Sequence, residues 1–207
     1  MHTLLCVLTL VHATPGQPST RPAASAPAEP WRYLHVAYGR LEADGLKECS
    51  GLVASRRSPG VYWTLNDSGN PPELFAVDEF GHDLGVWTVA GTDNVDWEDL
   101  AVDDRGRLII GEFGDNKCRR SDARLLIVRE PDDPRPHGAA LLPPAREPRA
   151  GAAADRVLRV EATLPFRYPD GPQNCEALFA WDGEYFVIEK LGAPQHKPSR
   201  PARLFRV

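Results

Sequence analysis

The chain has 207 residues, of which 42% are hydrophobic and 26% charged, the make-up of a folded globular domain. Its net charge of −5, with basic residues scattered along the chain, excludes the basic stripe that a nucleic-acid-binding surface needs. Twenty prolines and 17 glycines favour a turn-rich chain over one built from long helices.

Leu4–Val11 is a short apolar run, and Val11-His12-Ala13 offers small-residue cleavage chemistry, so residues 1–13 read as a signal peptide. This implies a secreted or periplasmic protein. The run is too short to span a bilayer, and no membrane span is expected. Residues 14–30 are Pro, Ala and Ser with almost no large apolar side chain, the composition of a tether. The folded part is expected from residue 31 to residue 207. Three cysteines follow the leader: Cys49, Cys118 and Cys175. They allow one disulfide with three possible pairings, and their spacing fits no zinc motif. A packing role for Cys49 and Cys175 is favoured over a disulfide, because both occupy one column of a repeat.

That repeat organises the rest of the chain. Glu48-Cys49-Ser50-Gly51-Leu52 returns as Asp96-Trp97-Glu98-Asp99-Leu100 and again as Asn174-Cys175-Glu176-Ala177-Leu178. The first two copies are 48 residues apart (100 − 52), and each leucine is followed 15 residues later by a turn aspartate, Asp67 or Asp115. Strands are predicted at 51–55, 61–65, 73–78 and 85–90, then at 98–103, 108–112, 124–129 and 157–164, then at 176–181, 185–189 and 203–207. No window carries a 3.6-residue apolar period, so helices should be rare. A Pro-, Arg- and Ala-rich insertion at 131–155 lengthens the second repeat.

Short strands at such a period predict an all-β fold, a β-propeller of four-stranded antiparallel blades, with about three blades present. Closed propellers have four to eight blades. The expectation is therefore a fragment, a truncated gene model or half of an assembly, with missing blades or a partner to close the ring.

In a blade, the loop entering the first strand and the loop after the second lie on one face. Glu48, Asp96 and Asn174, the column Glu98 and Glu176, and the turn residues Asn66, Asp67, Asp115 and Asn116 should then meet around one mouth of a channel. Oxygen donors from several loops suit a hard cation, above all Ca2+. The predicted metal set is Glu48, Asp67, Asp96, Glu98, Asp115, Asn116 and Glu176. Asn66, Trp97, Asn174 and Lys190 are the predicted ligand contacts. Each has a plainer reading: Asp and Asn in turns cap their own backbone, Lys190 can pair with Glu176, and tryptophans in strands fill blade faces. Catalytic residues are not identified. His35, His82, His137 and His196 all miss the mouth, and there is no Gly-x-Ser-x-Gly elbow.

Glu48–Leu52, Trp63-Thr64-Leu65-Asn66-Asp67-Ser68-Gly69, Asp96–Ala101, Gly111-Glu112-Phe113-Gly114-Asp115-Asn116 and Tyr168-Pro169-Asp170-Gly171 together resemble a family of secreted bacterial six-bladed propellers, often described as phytase-like or esterase-like. The resemblance spans about residues 47–190. It implies a domain with roughly twice the blades present here; a calcium-dependent phytase would imply several Ca2+ ions and a phosphate site. Two functions are expected from these readings. The first is an extracytoplasmic binding or interaction propeller with an acidic, Ca2+-binding funnel that takes a small ligand or a protein. The alternative is a calcium-dependent phosphoester or carboxyl-ester hydrolase using Glu98, Asp115 and Glu176. The lack of an evident nucleophile and of phosphate-clamping cations favours the first.

Overall fold

The computed structural model describes residues 39–135, 156–191 and 200–207. The predicted signal peptide and tether lie outside these residues, as does the insertion from 136 to 155. Eleven strands follow one another: β1 (Cys49–Ala54), β2 (Val61–Asn66), β3 (Glu73–Asp78), β4 (Asp83–Ala90), β5 (Trp97–Val102), β6 (Arg107–Glu112), β7 (Arg124–Arg129), β8 (Val157–Pro165), β9 (Cys175–Trp181), β10 (Glu184–Glu189) and β11 (Leu204–Arg206). Each predicted strand is present, and no helix occurs among the described residues.

Burial follows from the residues that form each strand. β3, β6 and β7 are unbroken apolar runs because both of their faces are covered, whereas β8 alternates between half-buried and exposed positions. Turn chemistry sets the hairpins. Between β9 and β10 the two-residue turn Asp182-Gly183 has φ of 51° and 76°, the left-handed pair that matches strand twist.

β1–β4 and β5–β8 are two antiparallel meanders, and β9–β11 form a third, three-stranded one. The first two are not separate sheets, contrary to the expectation of independent blades. β8 divides its length: Val160–Pro165 pairs antiparallel with β7, while Val157, Leu158 and Arg159 pair parallel with Thr88, Val89 and Ala90 of β4. The result is an eight-stranded mixed sheet in the order β1-β2-β3-β4-β8-β7-β6-β5, curved until its end strands β1 and β5 approach each other. The approach is close enough that a Cβ on Gly51 would lie 2.6 Å from Asp99 Oδ1 and 2.7 Å from the Leu100 amide nitrogen.

Two cores lie between the three meanders. Trp63, Leu65 and Leu74 of the first pack with Leu100, Ile110 and Leu126 of the second. Ile109, Leu125 and Ile127, on the opposite face of the second, pack with Leu178, Tyr185 and Val187 of the third. The first strands β1, β5 and β9 lie side by side without sharing a ladder, and polar bonds join them. Ser50 Oγ donates to the Glu98 carbonyl at 2.5 Å. The Asp99 carboxylate accepts the Leu100 amide (2.8 Å) through one oxygen and the Leu178 amide (2.6 Å) through the other.

Asp99 is thus the polar link between β5 and β9. Asp99→Ala leaves the Leu178 amide without that acceptor and is expected to cost about 2 kcal/mol, lowering Tm by roughly 4–8 °C. A calorimetric melt reads this directly; a Tm unchanged from the parent would show that the link contributes nothing.

Candidate functional site

The backbone itself turns the acidic residues inward. In each first hairpin the register slips by one residue at the same place: between Cys49 and Leu52 against β2, between Trp97 and Asp99 against β6, and between Cys175 and Ala177 against β10. A β-bulge re-aims the side chain it carries. The bulged residues of the second and third repeats are Glu98 and Glu176.

Asp67, Asp96 and Glu98 each bring a carboxylate oxygen within 4.8 Å of the others. Asp67 follows β2, Asp96 precedes β5 and Glu98 lies in the β5 bulge, so two repeats build the cluster. Gly114 forms its floor: a Cβ there would collide with Glu98 Oε1 and lie 2.5 Å from Asp96 Cγ. The Gly114 amide donates to the Asp96 carbonyl at 3.0 Å, tying the loop after β6 to the loop before β5.

The electrostatics are those of crowded acids. Glu98, only 2% exposed, is pushed up to about 8 by burial and then by the charges of Glu176, Asp67 and Asp96. Asp96 is also raised, by burial first and then by Asp67. At an effective dielectric constant of about 20, like charges at this spacing repel by about 3–4 kcal/mol per pair. On the third repeat's side Lys190 Nζ donates to Glu176 Oε1 at 2.8 Å. Asn174 Nδ2 donates to the same oxygen at 3.0 Å.

The remaining predicted residues stand around this cluster or support it. Glu48 accepts from Asn70 Nδ2 at 3.0 Å and is exposed. Asp115 is turned away to cap its own loop, where Oδ2 accepts the Arg119 and Arg120 amides at 2.5 and 2.6 Å. Its own amide donates to Asn174 Oδ1 at 3.0 Å, and Asn116 Oδ1 accepts from Asn174 Nδ2 at 3.3 Å. Asn66 is buried, and its Oδ1 holds the Lys47 and Glu48 amides. Trp97 is fully buried in the first core. Among the described residues Cys49, Cys118 and Cys175 are free; Cys175 is packed in the second core, whereas Cys49, expected to pack likewise, is exposed.

Glu112, its partner Arg120, and Asn94 support the site and were given no role from sequence. Glu112, buried at the end of β6, accepts the Val95 and Asp96 amides and pairs with Arg120 at 2.8 Å. It stands in register with Asn66 of the first repeat, which gathers the equivalent loop amides, so column alignment alone identifies it. Asn94 joins the two loops by donating to the Asn66 and Asp67 carbonyls while accepting the Trp97 amide.

Because Glu98 keeps its proton to about pH 8 when folded and to about 4.5 when unfolded, the folded chain binds more protons between those values. Its contribution to stability is full below about 4.5 and is lost as pH rises through about 8. Glu98→Gln removes that dependence. In chelator at pH 8 the variant is expected to melt roughly 2–4 °C above the parent, with no such gain at pH 4. Parallel Tm–pH curves for the two proteins would refute the assignment.

No protein-family model and no curated protein matches the chain.

Proposed function

We propose that the chain is an extracytoplasmic binding protein of propeller type whose acidic pocket takes a divalent cation, Ca2+ foremost. The observation that carries this reading is the convergence of Asp67, Asp96 and Glu98 from two repeats on one point. Two oxygens bound to the same Ca2+ lie at most about 5 Å apart, twice the usual bond length, and the three carboxylates meet that bound as they stand. A cation also removes the repulsion that otherwise keeps Glu98 protonated. Binding is therefore an exchange of a proton for the ion, and affinity rises with pH until Glu98 ionises unaided. The propeller reading is supported by the repeated meanders, their face-to-face cores and the adjacent first strands β1, β5 and β9. The bound ion, with the neighbouring Asn174 and Glu176, would present open coordination positions to a small ligand or an acidic group of a protein.

The hydrolase alternative rests on one specific observation, a buried carboxyl titrating near neutrality beside a pocket of charge, the profile of a general acid or base. Against it, the nearest cations are already engaged: Lys190 with Glu176, and Arg120 with Glu112. Neither is free to clamp a phosphate.

The test is titration calorimetry with CaCl2 at pH 7 in two buffers of different ionisation enthalpy. Binding with release of close to one proton is expected. Ca2+ at about a hundred times Kd should add about 2.7 kcal/mol, or roughly 5–10 °C in Tm. Asp96→Asn should weaken binding at least tenfold, and Glu98→Gln should abolish the proton release. Absence of heat and of any Tm change with Ca2+ would sink the proposal. Ester turnover that vanishes in Glu98→Gln would favour the hydrolase.

A further inference from the structure

The two end faces of the three-meander stack are built to fit each other, and we propose that they do so between two copies of this chain, joined head to tail. Position by position, Leu52, Leu100 and Leu178 are equivalent, as are Tyr62, Leu108 and Tyr185. Leu100 and Leu108 pack on the first meander, and Leu178 and Tyr185 pack on the second. The same interface therefore occurs twice within the chain. Leu52 and Tyr62 are its next receiving surface: Leu52 is 55% exposed and Tyr62 is half-buried.

The donating surface is equally open on the third meander. Phe179, Phe186, Ile188 and Leu204 occupy the positions of Ala101, Ile109, Gly111 and Leu125, which cover the second core from the other side. Phe179 and Phe186 stack on each other at 4.9 Å. Phe179 is 39% exposed, Leu204 56% and Trp181, on the same side of the sheet, 66%. An apolar sheet face of this kind is costly in water and marks an interaction surface.

The fit extends to a single side chain. Trp181 is equivalent to Asp103, and Asp103 Oδ2 accepts a hydrogen bond from Tyr185 Oη across the internal interface at 3.2 Å. Equivalence directs Trp181 to Tyr62 of the other copy. Tyr62 lines a groove of about 290 Å³ together with Leu41, Leu52 and Phe80. Residues 39–46 cover part of this face, where Gly45 lies against Phe75 and the Glu42 amide donates to the Gly81 carbonyl at 2.9 Å. Among the described residues the groove, one wall of which is residues 39–41, remains open to a tryptophan. A large aromatic in an apolar pocket is the usual anchor of such interfaces. The contact is heterologous, so it yields a closed ring or a growing chain according to the rotation between copies.

The experiment is sedimentation velocity of the full chain from micromolar to submillimolar concentration, with Leu52→Asp and Trp181→Asp. The parent is expected at two or more times the chain mass, and each variant as monomer. An equimolar mixture of the variants retains one intact pair of faces, and so should form a heterodimer and nothing larger. Trp181 is mostly exposed, so its substitution spares both cores; near-UV circular dichroism and Tm confirm folding, and Trp181→Ser serves if the aspartate variant does not fold. A parent that stays monomeric throughout overturns the proposal, as does an oligomer that survives both substitutions.

Discussion

The bulge repeated in the first hairpin of each meander governs the chemistry of this molecule. A strict two-residue alternation along β5 would point Trp97 and Asp99 one way and Glu98 the other, in line with the rest of the strand. One extra residue opposite β6 breaks that alternation and lets Trp97 fill the core while Glu98 still meets Asp67 and Asp96. The bulge holds because its flanks are satisfied. Asp99 bonds its own strand and β9, Ser50 bonds the Glu98 carbonyl, and Gly114 leaves the space that the Glu98 carboxyl fills.

Stability and site work against each other here. Among the described residues three tryptophans and fourteen buried valine, leucine and isoleucine side chains bring the meanders together, and that apolar burial is what tolerates the carboxylates. The same burial strips water from Glu98 and raises the cost of its charge. A proton settles the conflict, as would the cation proposed for the pocket. Glu189 of the third repeat illustrates the opposite outcome: Arg200 and Arg203 surround it, and its carboxyl is held down to about 2. Two different columns of the repeat thus carry acids in opposite states: Glu189 has two arginine partners, whereas Glu98 faces other carboxylates.

Much of this was legible in the residues themselves. The eleven strands follow from β-branched and apolar runs between turn signals, and the repeat of Leu52, Leu100 and Leu178 aligns the meanders. Asp67, Asp96 and Glu98 were legible as neighbours because the repeat assigns them to one face. What separates them from Asp115 was not. Asp67 and Asp115 share a column, yet the loop after Asp115 runs on to Arg119 and Arg120, whose amides draw that carboxylate into its own loop and away from the cluster. Nor does any local pattern announce that β8 serves two partners. Its Val157–Arg159 segment looks like the rest of the strand, and only the curvature of the sheet brings β4 alongside it.

That shared strand has a consequence for the order of assembly. β1–β4 close through contacts between neighbours in sequence, whereas β8 reaches β7 and β4 only after the connection that begins at Arg129 has been spanned. The first meander is thus self-contained, and the second waits for its last strand. Closure entropy grows only with the logarithm of loop length, so doubling the connection costs about 0.6 kcal/mol. The point between β7 and β8 is therefore a place where this architecture accepts added sequence at small energetic cost, while a residue added within β8 itself would set its two ladders out of step with each other.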